Sequence, residues 1–157
     1  MGVSGSGKTT VGKLFAEQSG WAFIEGDDYH PPENVRKMAN GTPLTDADRQ
    51  PWLENLHKIL LEHAQAHQPL VMACSALKKH YRQMLAEGLP DIHFVFLKGN
   101  YDLIEERLAA RPEHYMKAGM LRSQYETLQE PQKALVIDIT QNPREICRQI
   151  WHYLGAA

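Results

Sequence analysis

The chain has 157 residues, of which 43% are hydrophobic and 23% are charged, and its formal net charge is −2 at pH 7. These proportions are typical of one globular domain, so we expect a single domain over residues 1–157. The small net charge, without long lysine or arginine runs, argues against a nucleic-acid partner. No apolar stretch approaches the ~20 residues that cross a bilayer, so we expect no membrane partner and a cytoplasmic location.

A phosphate-binding loop occupies residues 2–9. Its sequence, Gly-Val-Ser-Gly-Ser-Gly-Lys-Thr, fits the pattern G-x-x-x-x-G-K-[ST] at every fixed position. The glycines let the backbone N–H groups face phosphate oxygens, Lys8 adds a charge near the terminal phosphates, and the Thr9 hydroxyl can bind Mg²⁺. A flexible tail would not need the Gly-Lys-Thr ending or the helical pattern that follows it. The loop predicts ATP and Mg²⁺ as cofactors, with nucleotide contacts from Gly2, Val3, Ser4, Gly5, Ser6, Gly7, Lys8 and Thr9.

The rest of the chain alternates helix-like and strand-like segments. Periodic apolar residues predict helices over residues 8–19, 31–39, 46–67, 76–87 and 102–110 and from Pro143 onward. Short apolar runs predict strands over residues 21–25, 70–74, 93–97 and 135–139. Their nearly continuous hydrophobicity is typical of strands covered on both faces, and therefore of a parallel sheet. The predicted architecture is a three-layer α/β fold with a parallel sheet and crossover helices.

The start of the chain leaves one question about this fold open. A phosphate loop normally joins a buried strand to a helix, and only Met1 precedes this loop. Either the first strand of the fold is absent from this chain, or another segment fills its position. If it is absent, we expect the 157-residue chain to be poorly stable and nearly inactive. An apolar segment of about six to ten residues before Met1 should then restore a cooperative melt and activity.

Polar residues follow two of the predicted strands, at the edge where parallel sheets bind ligands. Residues 25–30, Glu-Gly-Asp-Asp-Tyr-His, come directly after one strand. A carboxylate there can hold Mg²⁺ or take the proton from an attacking hydroxyl, and a capped turn is the alternative. After the next strand, Ser75, Lys78 and Arg82 could bind polar substrate groups, and a capped, solvated helix is the alternative.

Several longer motifs resemble the gluconate kinases of the thermoresistant gluconokinase type, which are phosphate-loop enzymes similar to nucleoside-monophosphate kinases. The matching stretches cover most of the chain in the family's order, at residues 1–8, 26–31, 34, 37–38, 46–53, 74–82, 96–99 and 123–131. The loop alone indicates only a superfamily, whereas the Cys-Ser-Ala-Leu-Lys and Asp-Arg-x-Pro-Trp-Leu segments are far more specific. The resemblance implies a cytosolic homodimer that transfers the γ-phosphoryl group of ATP to the 6-hydroxyl of D-gluconate, in gluconate catabolism.

The resemblance also implies roles for individual residues. Asp27 matches the fixed acid of a Gly-Asp-x-x-His motif, so it is expected to orient and deprotonate the gluconate hydroxyl, whereas Asp28 falls at a variable position. The gluconate carboxylate needs a cation, and the candidates are Arg49, Lys78 and Arg82. The expected substrate-binding residues are Asp27, His30, Arg49, Ser75, Lys78 and Arg82, and the expected catalytic residues are Lys8, Asp27, Arg107 and Arg111.

A mobile lid is expected over residues 111–127. Arg107 and Arg111 lie on the lid side and could neutralise charge on the phosphates, although helix spacing alone would make both ordinary surface arginines. The family's lid usually contains Arg-x-Gly-His-Phe, and here residues 111–115 read Arg-Pro-Glu-His-Tyr. Replacing the glycine stiffens this segment, which leaves the lid kinetics open.

Two other functions compete with a gluconate kinase. A related small-molecule kinase, such as a shikimate kinase, would share the loop but not the Cys-Ser-Ala-Leu-Lys segment. A nucleotide-dependent binding protein would bind ATP without turning over any substrate. Phosphorylation assays over sugar acids and shikimate would distinguish these functions.

Overall fold

The fold consists of alternating strands and helices, as the sequence predicts. A computed structural model describes residues 1–110 and 118–155. The strands are β1 (Ala22–Glu25), β2 (Leu70–Ala73), β3 (Val95–Lys98) and β4 (Leu135–Asp138). The helices are α1 (Lys8–Ser19), α2 (Pro32–Ala39), α3 (Asp46–Gln65), α4 (Lys79–Ala86), α5 (Tyr101–Ala109), α6 (Ala118–Thr127) and α7 (Pro143–Tyr153), and a 3₁₀ turn covers Gly26–Tyr29.

The strands form two parallel pairs, β1 with β2 and β3 with β4. The first residues of the chain lie between these pairs. The Met1 amino group donates to the carbonyl oxygen of Val95 at 2.5 Å, and the Leu97 amide donates to the Met1 carbonyl oxygen at 3.0 Å. The Gly2 amide donates to the carbonyl oxygen of Ser75 at 3.2 Å, just beyond β2. The phosphate loop therefore begins at the carboxyl edge of both pairs.

A cleft separates β2 from β3 below Met1. Its volume is about 540 Å³, and its lining is mostly apolar, including Phe15, Val71, Phe94 and Val95. Within residues 1–110 and 118–155, no strand lies between β2 and β3. Burial lowers the pKa of the Met1 amino group to about 5, because the ammonium form loses its water there. In the described part of the chain, therefore, no other segment fills this position in the sheet.

The helices pack into two buried clusters on either side of the strands. One cluster joins α1 and α7 through Val11, Phe15 and Ile150, and the other joins α3 and α4 through Trp52 and Tyr81. Within the described residues, no helix combines the length and the apolar character that a bilayer crossing requires.

Most predicted helix limits agree with the structure to within a few residues. The main exception is α4, which begins at Lys79 rather than at residue 76. Ala76 has a φ of 44°, in the left-handed region, and cannot belong to a right-handed helix. Residues 74–78 are therefore a loop at the tip of β2, and this loop brings backbone groups towards the phosphate loop.

An apolar extension of about six residues before Met1 is expected to raise the melting temperature. It would continue Met1 along β3 into the cleft, bury apolar side chains and replace the buried amino group by an amide. The gain should be larger at pH 6 than at pH 8. The amino group has a pKa of 8.0 when unfolded and about 5 when folded, so the unextended chain must release a proton on folding between these values and gains stability as the pH rises.

Thermal unfolding followed by circular dichroism would test this expectation on the 157-residue chain and the extended form. An extension of the same length made of glycine and serine is the control, since it supplies an amide but little apolar surface. Equal gains from the two extensions would show that the cleft does not accept an apolar strand.

Candidate active site

The phosphate loop is shaped by glycines whose conformations other residues rarely adopt. Gly7, immediately before α1, has a φ of 92°. Gly2 has a φ of 143°, and a Cβ atom there would lie 2.8 Å from the Leu97 carbonyl oxygen. The loop thus curls at the amino-terminal end of α1, which favours anions. The Ser6 hydroxyl is buried and has no hydrogen-bond partner among the described residues, so a phosphate oxygen would satisfy it.

The side chains of the loop contact neighbouring acceptors. The Lys8 ammonium donates to the Val3 carbonyl oxygen at 3.0 Å, and the Thr9 hydroxyl donates to a Glu25 carboxylate oxygen at 2.5 Å. Thr9 and Glu25 together offer two hard oxygen donors beside the loop, which is the chemistry that Mg²⁺ prefers. Glu25 was not among the predicted site residues, although its place at the last position of a strand was a signal.

Asp27 lies next to the loop, in the 3₁₀ turn after β1, and its side chain is 65% exposed. His30 Nε2 is 3.9 Å from its carboxylate, and the His30 ring stacks on Trp52 with centroids 4.2 Å apart. Burial lowers the pKa of His30, so its ring is neutral at pH 7. The Trp52 indole in turn donates to the Gly26 carbonyl oxygen at 2.8 Å. His30 is therefore held rigidly below Asp27.

Asn34 supports the His30 side of the site, and it was not identified as a site residue from the sequence. It is buried on α2 and donates to the Asp48 carbonyl oxygen at 2.7 Å, with its amide nitrogen 3.4 Å from His30 Nδ1. Lys37 donates to the Asp48 carboxylate at 2.6 Å and is the main cause of a pKa of about 2 for that group. These contacts join α2 to the start of α3. A buried asparagine inside a short helix was the available signal.

The three candidate cations have different surroundings. Arg49 and Asp27 both line a small cavity next to the phosphate loop. The Arg49 guanidinium donates to the Leu44 carbonyl oxygen. Lys78 is paired with the Asp46 carboxylate at 2.7 and 2.9 Å, and this bond lowers the pKa of Asp46.

The structure does not bring Arg82 into the cavity. Its buried guanidinium donates to the carbonyl oxygens of Ala76, Leu77 and Gln129 at 2.8–3.0 Å. A buried charge requires such acceptors, and they hold its nitrogens away from a ligand.

This small cavity, of about 90 Å³, lies between the phosphate loop and the residues Asp27, His30 and Arg49. Its walls bring together four of the six predicted substrate-binding residues, which are Asp27, His30, Arg49 and Ser75. The loop contributes Ser4 and Lys8, and α6 contributes Met120, Ser123 and Gln124.

The lid-side residues are only partly described. Arg107 on α5 donates to the Ile139 carbonyl oxygen at 2.7 Å, and it does not line the cavity. Arg111 and the rest of residues 111–117 lie outside the described residues. The remainder of the expected lid, residues 118–127, is helix α6. From this helix, Gln124 accepts a hydrogen bond from the Ser4 amide at 2.7 Å, a contact that nothing in the sequence indicated.

The chain is similar to known kinases in both sequence and fold. A family model described as shikimate kinase matches residues 4–154. The thermoresistant gluconokinase of Escherichia coli K12 is 49% identical over 145 residues, which cover 90% of this chain and 83% of that protein. A solved gluconokinase from Sinorhizobium meliloti 1021 is 45% identical with a TM-score of 0.89, covering 99% of this chain and 89% of that one. A solved sugar kinase from Janibacter sp. HTCC2649 is 41% identical with a TM-score of 0.93, covering 100% and 92%.

The loop matches the phosphate-loop pattern at every fixed position, and the alignments extend over nearly the whole chain. The chain therefore belongs to the gluconokinase family, within the shikimate-kinase-like group of phosphate-loop kinases.

Proposed function

We propose that this kinase transfers the γ-phosphoryl group of ATP to the 6-hydroxyl of D-gluconate. The observation that carries the proposal is the single cavity in which the phosphate loop, the Asp27 carboxylate and the Arg49 guanidinium meet. The loop suits a nucleotide triphosphate, the carboxylate suits a hydroxyl acceptor, and the guanidinium suits a sugar acid. The names of the E. coli and Sinorhizobium relatives support the same substrate.

The loop binds the phosphates and stabilises the charge that develops on them. Phosphoryl transfer passes through a loose transition state, so catalysis depends on positioning and on charge neutralisation. Lys8 and the loop amides supply positive charge and N–H donors, and the Ser6 hydroxyl can donate to a phosphate oxygen. Thr9 and Glu25 would hold Mg²⁺, which neutralises phosphate charge when it is bound.

Asp27 accepts the proton of the attacking hydroxyl. It lies in the 3₁₀ turn directly after β1, and it lines the same cavity as the loop residues Ser4 and Lys8. His30 acts on the orientation of Asp27 and not as an acid, because its ring is neutral and fixed by stacking on Trp52.

Arg49 binds the gluconate carboxylate. Of the three candidate cations, it is the one whose side chain lines the cavity, whereas Lys78 is bonded to Asp46 and Arg82 to three carbonyl groups. The Arg49 guanidinium has further N–H donors besides the one that is bonded to the Leu44 carbonyl oxygen. Arg49 can therefore make a bidentate contact with a carboxylate.

The proposal also includes more detailed expectations from the sequence analysis. They are a cytoplasmic homodimer, a lid over residues 111–127 that moves, and roles for Arg107 and Arg111 in neutralising phosphate charge as that lid closes. The resemblance to gluconate kinases supports them. Closure would have to release Arg107 from the Ile139 carbonyl oxygen.

With ATP and Mg²⁺, the protein is expected to phosphorylate D-gluconate and to use D-glucose much less well. Glucose lacks the carboxylate and would leave the Arg49 charge unpaired. Shikimate belongs in the same panel because the matching family model is described as shikimate kinase. A coupled assay for ADP would measure all three substrates. Equal turnover of glucose and gluconate would refute the assignment, and a preference for shikimate would favour a shikimate kinase.

Asp27→Asn is expected to lower kcat by about 10²- to 10⁴-fold while nucleotide affinity is nearly unchanged. The amide has nearly the same shape but cannot accept the proton. Asp28→Asn, a matched change at the next residue of the same turn, should leave kcat close to that of the unmodified protein. Steady-state kinetics and ADP titrations of both variants would measure this. Similar losses in both would show that Asp27 is not the catalytic carboxylate.

Arg49→Gln is expected to raise KM for gluconate by about ten- to a hundredfold, because a charge-assisted hydrogen bond is lost. KM for ATP and the weak turnover of glucose should change little, so the preference for gluconate over glucose falls. The control is Arg36→Gln on the exposed face of α2. An unchanged preference for gluconate in the Arg49 variant would contradict the assignment.

A further inference from the structure

One amide of the phosphate loop is already bonded to a side chain from a distant element. The Ser4 N–H donates to the Gln124 side-chain oxygen at 2.7 Å, across 120 positions of sequence. Among the described residues, Ser4 is the loop position whose amide contacts a side chain of another element. The contact connects the loop to the middle of α6.

Other bonds hold α6 in place, so this contact is not that of a free surface side chain. The Tyr125 hydroxyl donates to the Gly99 carbonyl oxygen at 2.9 Å, at the tip of β3. Beyond α6, the Gln129 side chain accepts from the Lys79 amide at 2.7 Å, and the Gln129 amide donates to the Leu77 carbonyl oxygen at 2.9 Å. Bonds from Tyr125 and Gln129, which follow Gln124 in the chain, therefore fix the carboxyl-terminal part of α6 and help to place Gln124 at Ser4.

Ser4 lies where the phosphate loop meets the small cavity that contains Asp27. It lines the small cavity together with Lys8, Asp27 and Arg49, where the transferred phosphoryl group must pass between the nucleotide and the hydroxyl. The single N–H of Ser4 cannot make a full hydrogen bond to the Gln124 oxygen and to a phosphoryl oxygen at the same time. A terminal phosphoryl group at this position must compete with Gln124.

We propose that Gln124 is a positioning residue that holds the Ser4 N–H until a γ-phosphoryl group takes its place. Exchange of this bond makes α6 sensitive to whether the nucleotide carries a third phosphate, so that ATP loosens α6 from the loop and ADP leaves it bonded. The inference rests on nucleotide binding at the loop, which is part of the proposed function.

Nucleotide titrations would test the exchange without any sugar substrate. Gln124→Met keeps the length of the side chain and removes the amide oxygen, so it should tighten a non-hydrolysable ATP analogue about two- to tenfold and leave ADP unchanged. Gln124→Glu strengthens the acceptor and adds a negative charge, so it should weaken the analogue by about tenfold or more and ADP much less. Glu126→Gln, at an exposed position of the same helix, should change neither affinity.

Hydrogen exchange of α6 gives a second readout. In the unmodified protein, the ATP analogue should lower the protection of amides at residues 120–127, whereas ADP should not. Equal effects of Gln124→Met on the two nucleotides, or unchanged α6 protection with the analogue, would show that Gln124 only braces the fold. Because no gluconate is present, a failure to phosphorylate gluconate would count against the proposed function alone.

Discussion

The geometry of the site depends on where the backbone of the first two residues is bonded. Met1 pairs with β3, and the Gly2 amide bonds to the Ser75 carbonyl oxygen beyond β2. These contacts place the phosphate loop at the tips of both strands. Parallel strands end at one edge of a sheet, so Glu25 and Asp27 after β1 arrive beside the same loop. The cavity is a consequence of this shared edge more than of any one side chain.

Below that edge, the interior is less well packed than the candidate site. The loop and its acceptor wall are closely bonded, whereas the space between β2 and β3 is an apolar cleft with a buried amino group at its upper end. The amino group must lose its proton to be buried there, because burial lowers its pKa to about 5, and this costs free energy at pH values below its ordinary pKa of 8.0.

Buried polar residues determine how the substrate wall is arranged. The Arg82 guanidinium is taken up by three carbonyl groups, and in this way it joins the loop after β2 to the segment after α6. Asn34 does the same for α2 and α3. Each such group must find acceptors or donors when it leaves water, so these bonds define positions that apolar packing alone would leave loose. The Arg82 bond to the Gln129 carbonyl oxygen fixes the segment that follows α6, the helix that carries Gln124.

The sequence by itself determined the phosphate loop, the order of strands and helices apart from α6, and the position of Asp27 at a strand tip. Those features depend on local backbone geometry and on apolar periodicity, which neighbouring residues carry. Only the tertiary structure decided which cation enters the cavity, because Arg49, Lys78 and Arg82 carry equal charges and differ in the acceptors that packing brings to them. The contact of Gln124 with the loop was likewise beyond the sequence, since an amide side chain acquires its partner only when α6 docks.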